Sequence, residues 1–125
     1  MPGFFVFGPT MKNKIKKLFK EKILVLDGAM GTMVQSYNLE ESDFRGDRFK
    51  EHTKDLKGNN DILCLTKPEI VSDIHKAYFD SGCDIVETNT FNANKISQLD
   101  YGMEDYSYEL NYEAANIARI IANSY

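Results

Sequence analysis

Four aliphatic residues, Ile23-Leu24-Val25-Leu26, stand between a lysine-rich segment and a glycine-containing turn. An unbroken run of β-branched and aliphatic side chains predicts a strand buried on both faces. The run ends at Asp27-Gly28-Ala29-Met30-Gly31-Thr32, and a short helical pattern follows through Thr32, Met33, Val34 and Gln35. Upstream, six lysines between Lys12 and Lys22 surround Ile15, Leu18 and Phe19. Their i, i+3, i+4 spacing gives one narrow apolar stripe, which we read as a solvated lead-in helix. Binding of RNA or an anionic membrane is the alternative for such a lysine run. Residues 1–10 are expected to be an unstructured extension ahead of Met11, and 11–125 the folded part.

Asn38 to Asn60 is polar, is punctuated by Arg45-Gly46-Asp47 and Lys57-Gly58-Asn59-Asn60, and shows no sustained period. It predicts a long irregular connection, which inside a compact domain is more often functional than idle. Asp61 to Leu65 reads as a buried extended segment. Thr66 and Glu69 have capping-box spacing and Pro68 lies where a first helical turn tolerates it. Ile70, Val71, Ile74, Ala77 and Tyr78 then share one face, and Gly82 supplies a left-handed C-terminal cap, so a helix is predicted over about Lys67 to Ser81.

Asp84 to Phe91 is β-rich and follows that helix directly, giving the βαβ rhythm of a parallel sheet and an α/β fold class. Right-handed crossover places the two strands side by side, so Asp27 on one and Glu87 with Asn89 on the other reach the same rim. Asn92 is the expected cap of a helix through Leu99, with Gly102 at its end. A last helix from Ser107 puts Leu110, Ala114, Ile117, Ala118 and Ile121 on one side.

Composition changes this picture little. Hydrophobic content of 42% and charged content of 27% are those of a soluble globular protein, and a net charge of −4 argues against a general nucleic-acid binder. No run approaches the roughly 18 apolar residues of a membrane span. The apolar stretch Gly3 to Pro9 has no basic segment before it, so no signal peptide is read there. Cys64 and Cys83 lack zinc-site or disulfide-framework spacing and read as small buried hydrophobes. The expected setting is cytoplasmic.

The turn Gly28 to Gly31 lacks the Gly-Lys-Ser/Thr end of a phosphate loop, and the Asp27 carboxylate would repel a phosphate. A ligand with one carboxylate and one ammonium fits better: N–H groups of the turn take the first, Asp27 or Glu87 the second. That describes a free amino acid. The plainer alternative is an aspartate capping a turn, with glycines present only for backbone angles. Glu87 reads equally as a solvated strand-end acid, and Asn89, between two threonines, as a turn pin. His52 and His75 have no second metal ligand at helical spacing.

Leu26 to Thr32, Phe44-Arg45-Gly46, Leu56-Lys57-Gly58-Asn59-Asn60-Asp61, Lys67-Pro68-Glu69 and Glu87-Thr88-Asn89-Thr90-Phe91 together resemble the N-terminal part of the homocysteine-binding domain of the cobalamin-dependent methionine synthase family. The Asp-Gly turn and the Glu-Thr-Asn-Thr-Phe segment are shared by homocysteine methyltransferases generally; the Phe-Arg-Gly and Lys-Gly-Asn-Asn-Asp segments resemble the cobalamin-dependent enzymes. The resemblance implies a (β/α)8 TIM-type barrel, of which this chain would supply about two βα units and remain incomplete. It implies homocysteine as substrate, held by Asp27, Gly28, Ala29 and Met30 with Glu87 and Asn89 on the adjacent rim. Zinc and cobalamin are the implied cofactors of the full-length protein, which would carry folate, cobalamin and reactivation domains. The zinc cysteines are expected beyond Tyr125, so this chain alone is expected to hold no catalytic residue, bind no cofactor and be inactive. A cobalamin-independent homocysteine S-methyltransferase and a non-catalytic truncated product are the alternatives.

Overall fold

The computed structural model describes residues 9–125. The extension expected over 1–10 lies outside the described residues, except that Pro9 and Thr10 begin the first helix. Helix α1 spans Pro9–Glu21, α2 Met30–Gln35, α3 Glu41–Arg45, α4 Leu63–Thr66, α5 Pro68–Asp80, α6 Lys95–Leu99 and α7 Ser107–Ala122. Tight 3-10 turns occupy Asn60–Ile62 and Glu104–Tyr106.

Helices α5 and α7 carry the core. The predicted apolar faces meet there: Ile70, Val71 and Ile74 of α5 join Leu110, Ala114 and Ile117 of α7 in one buried cluster, with Ile62, Leu63 and Cys64 wedged alongside. The α5 C-terminus closes as the glycine predicts. Gly82 adopts φ +99°, its N–H donates to the Phe79 carbonyl at 2.9 Å, and the Cys83 N–H donates to the Tyr78 carbonyl at 3.3 Å. This pair of bonds is the Schellman arrangement.

The α/β expectation is overturned. Among the described residues there is no strand or sheet, so the chain is a helical assembly and not two βα units of a (β/α)8 barrel. Residues 23–26 and 84–91 form no strand, the second segment bending at Asp84 and Asn89 and turning at Phe91, and they pair only at one isolated parallel bridge, Leu26 with Ile85. Two aspartates stop the ladder from growing. The next parallel pair on one side would take the Glu87 N–H to the Asp27 carbonyl, but the Asp27 side chain accepts it instead, at 3.1 Å. On the other side the Asp84 carboxylate accepts the Val25 N–H at 3.0 Å. Side-chain acceptors have replaced backbone ones at both ends of the bridge. The run expected to be buried on both faces is open to solvent: Ile23 is 90% exposed, Val25 53% and Leu26 54%.

Three local expectations are also corrected. Asp61 to Leu65 is a 3-10 turn running into α4; this buried segment pairs its backbone locally, and the Thr66 hydroxyl donates to the Ile62 carbonyl at 3.2 Å. That bond removes Thr66 from the expected capping box, and α5 has Lys67 at its N-cap with no side-chain cap. Helix α6 is capped by Asn94, whose side chain accepts the Ser97 N–H at 2.9 Å, while the Asn92 N–H is taken by the buried Asp61 carboxylate at 3.0 Å.

The long polar connection contains α3 and buries Phe44, Phe49 and Leu56 in the core, and a charge network ties its backbone. Arg45 donates to Glu41 at 2.7 Å, to the His52 carbonyl at 2.6 Å and to the Lys54 carbonyl at 3.1 Å. Glu41 in turn accepts the N–H groups of Leu56 at 2.7 Å and Lys57 at 2.6 Å. Partial burial works against the Glu41 charge, yet those two N–H groups and Arg45 outweigh it and hold the carboxyl below its usual range. No helix among the described residues is long and apolar enough to cross a membrane.

Candidate functional site

The bridge at Leu26 and Ile85 aligns two segments whose following residues form the walls of an open cleft of about 780 Å³. Asp27, Gly28, Ala29, Met30 and Gly31 make one wall; Glu87, Thr88, Asn89, Thr90 and Phe91 make the other. All six residues singled out from the sequence, Asp27, Gly28, Ala29, Met30, Glu87 and Asn89, therefore line one space.

Their commitments differ. One Asp27 carboxylate oxygen accepts the Glu87 N–H at 3.1 Å, and the other has no hydrogen bond from the described residues. Ala29 is the N-cap of α2 and provides no side-chain cap, so the first N–H groups of that helix, beginning at Met30 and Gly31, lack an intrahelical acceptor. The cleft thus has carboxylates at Asp27 and Glu87 and unpaired backbone donors at Met30 and Gly31. Asn89 also lines the cleft; it is buried, and its amide nitrogen donates to the Asn60 carbonyl at 2.9 Å. That bond ties the second wall to the Asn60–Ile62 turn.

Gly28 sits at a close approach and not at a left-handed angle. A Cβ built there would lie 3.0 Å from the Tyr78 hydroxyl oxygen and 3.2 Å from its ring. The same hydroxyl donates to the Ala29 carbonyl at 3.1 Å. Sequence reasoning placed Tyr78 only on the apolar face of α5. A phenol on such a face is itself a signal, because its O–H needs a partner when the ring is packed.

The remaining polar candidates do not assemble a metal centre. No group of three or more His, Cys, Asp or Glu side chains among the described residues is placed to hold a metal ion. Burial pushes the Cys64 thiol up to about 12, and its sulfur lies 3.6 Å from the Asn89 amide nitrogen. Cys83 is likewise shifted upward, by burial and then by the charges of Asp27 and Asp84. His52 is a brace, its Nε2–H donating to the Tyr101 carbonyl at 2.7 Å. His75 is fully buried with both ring nitrogens unpartnered; burial depresses its pKa, and the Asp27 charge opposes that only in part.

Acids and free N–H groups facing one small space are complementary to a ligand bearing both an ammonium and a carboxylate. The family model for homocysteine S-methyltransferase matches residues 24–125, which include both walls of the cleft. The chain belongs to the homocysteine S-methyltransferase family. Its kind of function is accordingly that of a homocysteine methyltransferase.

Proposed function

We propose that the Asp27–Glu87 cleft holds the amino-acid end of homocysteine, and that the parent protein is a cobalamin-dependent methionine synthase. The observation that carries the first statement is the convergence of Asp27, Glu87 and the uncapped start of α2 on one cleft. The free Asp27 oxygen receives the substrate ammonium, and the N–H groups of Met30 and Gly31 receive its carboxylate. The homocysteine sulfur is then directed away from the turn. Activation of that sulfur as a thiolate is the job of zinc in the resembling family, and the described residues do not fit the metal. These residues bind and orient the amino acid.

The Phe44-Arg45-Gly46 and Lys57 to Asp61 segments, which resemble the cobalamin-dependent enzymes, support the choice of parent protein. The second of these segments touches the cleft wall, through the Asn60 carbonyl that accepts from Asn89.

Calorimetric titration of the chain with L-homocysteine tests the binding role. Asp27→Asn keeps the shape and removes the charge, so affinity should fall by about 1.5–3 kcal/mol, the range of a hydrogen bond to a charged group. Equal affinity of the two proteins would refute the assignment. For the parent protein, methionine formation should require cobalamin and a methylfolate donor; methionine made from betaine without either would refute the choice of subfamily.

A further inference from the structure

Tyr78 belongs to no wall of the cleft, yet it touches the backbone that sets both. Its side chain acts on the first wall: the hydroxyl donates to the Ala29 carbonyl at 3.1 Å, and the ring lies so close under Gly28 that no Cβ fits without a shift. Its main chain acts on the second. The Tyr78 carbonyl accepts the Cys83 N–H at 3.3 Å in the turn from which Asp84 to Glu87 departs. The two segments then lock together where the Asp27 N–H donates to the Ile85 carbonyl at 2.9 Å and the Asp27 carboxylate accepts the Glu87 N–H. Ladder bonds that would hold such segments in a sheet are absent beyond one bridge. The turn from Asp27 to Ala29 therefore depends on the α5 side chain beneath it.

We propose that Tyr78 is a positioning residue for the amino-acid cleft, its hydroxyl and ring fixing the Gly28–Ala29 backbone so that Asp27 and the start of α2 meet the ligand together. The proposal rests on the homocysteine-binding reading of this cleft. Tyr78 touches neither ligand nor reacting atoms; it acts through Ala29 and Gly28. The ring is packed against the core cluster, so removing only the hydroxyl leaves helix α5 anchored and frees the turn. An unpinned turn visits the binding geometry for only part of the time, and affinity falls by that fraction.

The test compares Tyr78→Phe with the natural chain in two measurements. L-homocysteine titration should show binding weakened about three- to tenfold, the effect of one net hydrogen bond. Amide 15N relaxation on the ligand-free chain should show the order parameters of Gly28 and Ala29 falling from rigid values near about 0.85 towards about 0.6, with α7 unchanged. A 4-aminophenylalanine at position 78 keeps a donor and should restore both readouts, whereas 4-methoxyphenylalanine, which keeps bulk without a donor, should not. Unchanged relaxation in Tyr78→Phe, or homocysteine affinity within twofold of the natural chain, overturns the proposal. If the natural chain itself binds no L-homocysteine, the functional reading fails; relaxation still decides whether Tyr78 holds the turn.

Discussion

Gln98 and Asn59 form a reciprocal amide pair in the interior, and its disruption is predicted to be among the more damaging single changes. The Asn59 amide donates to Gln98 at 2.8 Å, and Gln98 returns a bond to Asn59 at 3.1 Å. The Gln98 nitrogen also donates to the Asn92 carbonyl at 3.0 Å. Both side chains are essentially sealed from water, 2% exposed for Asn59 and 0% for Gln98. Gln98→Leu keeps the volume and strands both ends of the Asn59 amide. Each stranded buried group costs about 1–3 kcal/mol, and the added apolar burial offsets only part of this. The net expectation is about 2–4 kcal/mol. Urea unfolding followed by circular dichroism reads it: with a slope of about 1.5 kcal/mol per molar, the midpoint moves down by about 2 M. Asn59→Leu should be similarly harmful, and the double replacement should be milder than the sum by at least about 1 kcal/mol, since it removes both partners together. Additivity within about 0.5 kcal/mol would refute the pairing as the source of the loss.

Gly82→Ala should destabilise the chain by about 1–2 kcal/mol, because φ +99° is unfavourable for any residue with a Cβ, although open space surrounds the position; thermal unfolding reads this, and an unchanged midpoint would remove the Schellman closure of α5 from the account. His75 has a pKa depressed by burial, so the unfolded chain takes up a proton near its ordinary value of 6.5 while the folded chain resists. Stability from this group is therefore complete above that pH and lost below it, by at most about 1.4 kcal/mol per pH unit until the folded pKa is reached. Asp61, whose carboxyl burial pushes upward, acts in the opposite sense at lower pH, and the difference between the natural chain and His75→Leu isolates the histidine. Equal slopes in the two proteins between about pH 6.5 and 5 would refute the assignment.

The helices were legible wherever an apolar period coincided with a terminator. For α5 and α7 the spacing named the buried residues, since Ile70, Val71 and Ile74 meet Leu110, Ala114 and Ile117 as the two periodicities require. Gly82 marked the end of α5 because only a left-handed residue closes that turn. The connection from Asn38 to Asn60 was opaque for the converse reason. Its buried anchors Phe44, Phe49 and Leu56 follow no regular period, and Arg45 collecting carbonyls and Glu41 collecting N–H groups are contacts with distant backbone that have no period to read.

The missing sheet and the shared cleft have one physical source. The segments around Ile23 to Leu26 and Asp84 to Phe91 form no strands, and they meet only at the parallel bridge of Leu26 with Ile85. What periodicity does not encode is that the residues bounding this contact, Asp27 and Asp84, carry acceptors short enough to take the N–H groups a ladder needs. At Asp84 the carboxyl is held below its usual range by Lys22 and the Val25 N–H, so the side-chain acceptor stays charged and competes well for that N–H. At Asp27 the same competition has a second result. By bonding the Glu87 N–H, the carboxylate ties the Gly28–Gly31 turn to the Glu87–Phe91 wall and leaves its other oxygen without a hydrogen bond from the described residues. The bond that halts the pairing is therefore the bond that joins the walls of the cleft, and the candidate site was readable from residue chemistry even where the element type was not.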